Sequence, residues 1–260
     1  MHPLAPTLNL FRVSIAVFGL ASLGCSISEA ATSLIRFEFD TNGANIDEPG
    51  VGWDGTEPGG STLALTPNVS LSQNLRSLGS FTDHPGGDAF HVDNWHSQSR
   101  AAAITNGDMV SFSIQADAGF FLNLGDGDGQ FQTLLHTHAQ LNDVNEIFDR
   151  VALFINGVDL GDQTYVHLAP PSNIPPLPQT LTWAIGTNLS LQGLTSANVQ
   201  LYFYDSTGGS LEPGDNQHGP GWHAADGAFM QLNGTVVPEP SGAALGLLGL
   251  SLGFLRRRRP

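Results

Sequence analysis

Apolar and polar residues alternate with a period of two in stretch after stretch of this chain. In SLIRFEFD (33–40), Ile35, Phe37 and Phe39 form one row while Arg36 and Glu38 form the other. That is the repeat of a strand with one buried face. Val110, Phe112 and Ile114 make the apolar row of DMVSFSIQ (108–115). Leu181, Trp183 and Ile185 do so in TLTWAIG (180–186), and Val199, Leu201 and Phe203 in NVQLYFYD (198–205). VALFINGVDLG (151–161) joins two strand-like runs through Asn156-Gly157, the pair favoured by type I′ hairpin turns. AFMQLNGTVV (228–237) predicts a last strand. Helical spacing occurs in one place, through Leu141, Val144, Phe148 and Val151, where a short helix and a loop both remain open.

Many short strands with turn residues between them predict an all-β, antiparallel, jelly-roll-like β-sandwich. Composition agrees, because 31 glycines and 16 prolines punctuate strands and break helices. The run APPSNIPPLPQ (169–179) reads as an extended excursion within one domain, since too few strands follow it to close a second sandwich.

The two ends follow different rules. Arg12 precedes an apolar run from Val13 to Gly24, and small residues follow at Ser28 and Ala30. This is the three-part pattern of a secretory signal helix over residues 1–30, with cleavage between Ala30 and Ala31. A lipoprotein signal ending at Cys25 would want leucine where Ser22 stands. Cys25 is the sole cysteine, so cleavage at Ala30 leaves none in the exported chain.

At the other end Ser241–Leu255 carries no charge, and Arg256, Arg257, Arg258 and Arg259 follow at once. As a helix this stretch would be about 22 Å long, a short transmembrane helix against a hydrocarbon core of about 30 Å. Each arginine costs about 2.5–3.5 kcal/mol at the bilayer centre, so four in a row stop transfer and stay cytoplasmic. Gly242, Gly246, Gly249 and Gly253 fall on one helical face, where a second helix could approach closely. Pro238-Glu239-Pro240 stands just before the span, and two prolines hold the glutamate in extended backbone.

Pro-Glu-Pro, an apolar helix and an arginine cluster, in that order, resemble the PEP-CTERM sorting signal. The resemblance covers VPEPS (237–241), the span 242–255 and RRRR (256–259). It implies an exported protein of a Gram-negative bacterium that makes exopolysaccharide. The precursor would sit transiently in the inner membrane and be processed by an exosortase-type protease. Delivery to the cell surface or to a biofilm's extracellular matrix would follow. A permanent single-span anchor is the alternative reading of the same residues. The middle also resembles the jelly-roll ectodomains of PEP-CTERM proteins, through NGDMVSFSIQADAGFFLNL, ANVQLYFYDSTGGS and WHAADGAFMQLNGTVVPEP. Asp226-Gly227 stands where that family usually has Asp-Asn. Such ectodomains share no catalytic set, so the resemblance carries over no catalytic residues. The chain thus divides into a signal peptide (1–30), an ectodomain (31–236) and a sorting segment (237–260).

Charge sharpens this picture. The whole chain has formal charge −15, from 24 acids against nine arginines and no lysine. Setting the two ends aside removes Glu29, Glu239 and five arginines, leaving 22 acids and four arginines, a charge of −18. So acidic a body excludes nucleic acid, whose phosphates need clustered cations. It suits a soluble extracellular surface or one that draws in divalent cations.

Candidate chemistry is sparse. His136 and His138 lie two apart and would share a face on a strand, a start toward a metal site, with His84, His91 or His96 as a third ligand. Asp126 and Asp128 in GDGDGQ (125–130) alternate as calcium ligands do. Phe131 and Thr137, however, occupy the positions where an EF-hand needs glycine and an acid. DNWHSQSR (93–100) and PGWHAADG (220–227) each place a tryptophan beside a histidine. An exposed tryptophan can stack on a sugar ring, whereas one in a sandwich is more often core. No G-x-S-x-G is present, and no acid pair is marked out for glycoside hydrolysis. The reading is a non-enzymatic surface or matrix protein contacting extracellular polysaccharide, with calcium bridging acids to anionic sugars. The rivals are a polysaccharide-active or metal-dependent enzyme on the same sorting tail, and a passive structural protein.

Overall fold

A computed structural model describes residues 31–39, 62–77, 89–91, 97–137, 148–166, 178–206, 220–223 and 227–239. Its strands in chain order are β1 (Thr32–Glu38), β2 (Thr62–Leu65), β3 (Val69–Ser77), β4 (Ala89–His91), β5 (Met109–Ala116), β6 (Phe120–Asn123) and β7 (Gln130–Thr137). There follow β8 (Arg150–Ile155), β9 (Val158–Thr164), β10 (Gln179–Ala184), β11 (Ser196–Tyr204), β12 (Pro220–His223) and β13 (Phe229–Pro238). Among the described residues one α-helix, α1 (Arg100–Asn106), lies between β4 and β5.

Two antiparallel sheets result. The larger runs β2-β1-β13-β7-β12-β4, with β10 also on β7 and β6 also on β13; the smaller runs β3-β5-β11-β8-β9. Strands from before and after residues 167–177 share both sheets. Residues 1–30, expected as a signal helix, and Pro240, the glycines at 242, 246, 249 and 253, and Arg256–Arg259 lie outside the described residues. Among the described residues, no helix is long and apolar enough to cross a membrane. Ala31 sits immediately before β1.

The alternating rows become the core. Ile35, Phe37 and Phe39 of the larger sheet and Val110, Phe112 and Ile114 of the smaller are all buried. Leu181, Trp183 and Ile185, and Val199, Leu201 and Phe203, complete the same cluster. The sheets interlock through aromatic rings, with Phe37 edge-on to Phe112 at 4.9 Å and Phe203 edge-on to Trp222 at 6.2 Å. Such pairs add about 0.5–1.5 kcal/mol beyond the area they bury. A register shift between Ser33 and Ile35 turns Leu34 inward beside Ile35, so two consecutive residues of β1 are buried.

The Asn156-Gly157 turn joins β8 to β9, with φ of 50° and 76° at its two residues, as a type I′ turn requires. The turn Asp117-Ala118-Gly119 does something different. It links β5 of the smaller sheet to β6 of the larger, so it is a corner between layers rather than a hairpin. Phe148 is buried but not helical, and strand β8 begins at Arg150. Helical spacing therefore does not extend to Val151; Leu141 and Val144 lie outside the described residues.

Helix α1 has no apolar stripe to announce it, but its caps are clear. The Ser99 hydroxyl accepts from the Ala102 N–H at 3.2 Å, and Gly107 ends the helix at φ 74°. Its alanines let it lie close on the outer face of the smaller sheet, where Ala103 covers Ala152, Tyr202 and Tyr204. This explains why the end of β11 is buried on both faces.

If the aromatic interlock carries the sandwich, Phe112→Ala should cost about 3–5 kcal/mol in urea unfolding of the protein. Ile104→Ala, on the exposed side of α1, should stay within about 0.5 kcal/mol. Equal costs for the two would contradict the packing described.

Candidate functional site

Three places gather polar chemistry among the described residues. The first is the loop 124–129 between β6 and β7. Asp126 is half-buried and accepts from the Thr235 hydroxyl of β13 at 2.8 Å and from the Asp128 N–H at 3.4 Å. Asp128 itself is exposed. The glycines around them are demanded by close approach. A Cβ on Gly125 would overlap the Asn188 carbonyl, and one on Gly129 the Leu124 carbonyl. The loop is further held by the Gly127 N–H to the Gly186 carbonyl at 3.2 Å and by Gln192 Nε2 to the Gly125 carbonyl. Asp126 thus works as a structural acceptor that ties the loop to β13. A cation here would share two carboxylates, whereas calcium takes about 6–8 oxygens. Among the described residues, no three His, Cys, Asp or Glu side chains group to hold a metal.

The second place lies on the outer face of the smaller sheet beside α1. Arg100 pairs with Asp159 and, at 3.5 Å, with Asp162. Its guanidinium stands 5.0 Å over the Phe154 ring. The Tyr204 hydroxyl donates to Asp162 at 2.8 Å. Nearby, Asp149 accepts from the Ser206 N–H and hydroxyl, both at 2.6 Å. Arg150 meets Asp149 at 3.6 Å and donates to Thr164 at 2.7 Å. Burial pushes the Tyr204 phenol up to about 12, and the Asp162 hydrogen bond and charge push the same way. Partial desolvation raises the Asp159 carboxyl, but the Gly161 N–H and Arg100 outweigh it and leave the group below its usual value. Sequence reasoning missed this cluster because its members come from α1, β8, β9 and β11. The Asp159/Asp162 spacing was its only local trace.

The third place is where β13 leaves the sheet. The strand continues through Val237 and Pro238, which pair with Phe121 and Phe120 of β6. The Glu239 N–H then donates to the Gly119 carbonyl at 2.8 Å. Proline is tolerated at Pro238 because it lacks only a donor, and the next N–H resumes the ladder. Pro238 and Glu239 are both exposed.

The tryptophans separate clearly. Trp222 is fully buried, its indole N–H donating to the Thr133 hydroxyl at 2.8 Å. It is core and offers no face to a sugar; Trp95 lies outside the described residues. Of the histidine pair, His136 is on β7, opposite Gly221 of β12. His138, His84 and His96 lie outside the described residues.

No protein-family model, no curated protein and no solved structure matches this chain.

The raised Tyr204 phenol has a definite pH consequence. A group that holds its proton more tightly when folded contributes stability fully below the ordinary tyrosine value of about 10. That contribution is lost as pH rises from there to about 12. Tyr204→Phe should therefore flatten the alkaline fall in thermal stability across this window, measured by circular dichroism. An unchanged alkaline slope would count against the Asp162–Tyr204 contact.

Proposed function

We propose that this chain is an exported β-sandwich of the PEP-CTERM kind, sorted through residues 237–260 to the cell surface or extracellular matrix. There it contacts polysaccharide without chemically altering it. The carrying observation is the ordered set of Pro238-Glu239-Pro240, an uncharged span and Arg256–Arg259 behind an acidic all-β body. In this reading the ectodomain is a jelly roll, residues 1–30 form the signal helix and 241–255 the transmembrane helix. The inner membrane holds the precursor only until an exosortase-type protease acts.

The end of β13 supports the reading physically. Among the described residues Glu239 is the last one bonded to the sandwich, and only Pro240 separates it from the uncharged run. Two residues extend at most about 7 Å, so the folded body would stand directly against the membrane surface. A processing enzyme would meet the motif as an exposed, extended strip with one end already fixed. For polysaccharide, the outer-face cluster of Arg100, Asp159 and Asp162 offers a guanidinium and two carboxylates in one patch. Such groups suit sugar hydroxyls.

The test is recovery of the native protein from the cell surface and mass spectrometry of its C-terminus. The expected product lacks Arg256–Arg259, co-purifies with the polysaccharide and releases no reducing sugar from it. Replacing the four arginines by glutamine should mislocalise the protein. An intact tail at the outer surface would overturn exosortase processing, and sugar release would favour an enzyme.

A further inference from the structure

The registers of the larger sheet line up polar side chains across five strands. Pairing sets Ala64, Arg36, Gln231, Gln132 and Thr182 side by side on β2, β1, β13, β7 and β10. Residues paired across antiparallel strands share a face. Their chain neighbours Phe37, Leu232, Phe131 and Trp183 are buried in the core, so this row faces outward. A second row, Ser33, Asn233 and Gln130, runs beside it. Five strands at about 4.8 Å make the first row about 19 Å long.

These side chains hold one another in place. Arg36 donates to the Glu38 carboxylate and to the Gln231 carbonyl oxygen, both at 2.6 Å. Its guanidinium lies 4.2 Å from the centre of the Phe229 ring. Gln231 donates onward to the Asn233 carbonyl oxygen at 2.6 Å, and Gln132 donates to the Thr182 hydroxyl at 3.4 Å. A glutamine amide carries two N–H donors and an oxygen with two lone pairs, so one bond leaves Gln132 with capacity of both kinds. Beside Asn233, the Ser33 hydroxyl is buried with no hydrogen-bond partner among the described residues. Unpaired polar capacity favours a partner that brings hydroxyls to these rows.

Charge decides which partner suits the face. Residues 31–236 carry 22 acids and four arginines. The two rows nevertheless hold a single charged side chain, Arg36, and Glu38 next to it on β1 offsets that charge. The acids gather elsewhere, with Asp159 and Asp162 on β9 and Asp126 and Asp128 in the loop before β7. A polyanion would be repelled by the body's charge of −18 and would gain no free cation here. A neutral polymer rich in hydroxyls meets no such field, and planar amides can pair with its hydroxyls as donor and acceptor at once.

We propose that this face, with Arg36, Gln231, Gln132 and Thr182 as its central row, binds a neutral polysaccharide laid across the strands. The inference rests on the polysaccharide contact proposed above, and it names the class of polymer and the surface that takes it. The strand separation of about 4.8 Å is close to the length of one sugar unit in an extended chain, so successive strands meet successive units. Contact here needs no calcium bridge, because the one acid beside the rows is already paired with Arg36.

Native electrophoresis of the full chain through gels containing dextran, mixed-linkage β-glucan, galactomannan or the source organism's own polysaccharide tests it, with alginate as the anionic control. A neutral polymer should retard the wild type equally with and without EDTA, and alginate should not. Gln132→Ala combined with Gln231→Ala should weaken binding about 10-fold, as the loss of two hydrogen bonds predicts. Thr182→Glu, at an exposed position, should weaken it similarly with an unchanged urea midpoint, whereas Gln115→Ala on the smaller sheet should leave binding as it was. Retardation that survives the Gln132/Gln231 and Thr182 variants but is lost in Asp159→Asn with Asp162→Asn would overturn this face and leave polysaccharide contact standing. Binding to alginate alone would do the same. Failure of every polymer to retard the wild type would overturn both readings. A dimer in sedimentation velocity that the Gln132/Gln231 variant dissociates would give the face to a second copy of the chain and overturn the proposal.

Discussion

The larger sheet depends on β13. The strand pairs with β1 along one edge and with β7 along the other, then hands its far end to β6. Its inner row places Met230 and Leu232 in the core, while Thr235 ties down the acidic loop through Asp126. The same backbone then runs without a break into Pro238 and Glu239. A strand flanked on both sides cannot leave its sheet without losing ladder bonds and core area together. Pro238 and Glu239 at its end are consequently held by the fold itself.

Two further features follow from that constraint. One is the corner at Asp117–Gly119, where Gly119 at φ 87° lets the chain pass from one sheet to the other. It delivers β6 to the end of β13, and the Gly119 carbonyl accepts the bond from Glu239. The other is the crossing at Gly221. β12 lies against β7 just beyond the stretch that β13 occupies, so the larger sheet is prolonged past its central pairing.

Much of the fold was legible in the sequence because burial in a sandwich has a period of two. The rows at 35–39, 110–114, 181–185 and 199–203 needed only alternation to be seen, and Asn156-Gly157 declared its turn by composition. What escaped had other causes. Helix α1 is mostly small residues, so it left no apolar stripe and showed only its caps, Ser99 and Gly107. Tyr202 and Tyr204 are buried on the face that alternation marks as outer, because a helix covers them. The corner at Asp117 looks like a hairpin locally, and only long-range pairing of β6 with β13 shows otherwise. The candidate chemistry divided in the same way. Asp126 was visible as an acid between glycines, but its bond to Thr235 spans 109 positions. His136 was visible within a His-x-His pair, whereas its pairing with Gly221 of β12 depends on strand order, which no local spacing encodes.

The central claim is that the sandwich reaches into the Pro-Glu-Pro motif, with Glu239 bonded to Gly119. Amide hydrogen exchange at Glu239, followed by NMR on the protein, tests this most directly. Protection at Glu239 that is lost together with that of Met230–Thr235 as denaturant is added is the predicted result. Exchange at the rate of an unfolded peptide, while the rest of β13 stays protected, would show that the motif hangs free of the fold and would contradict the account.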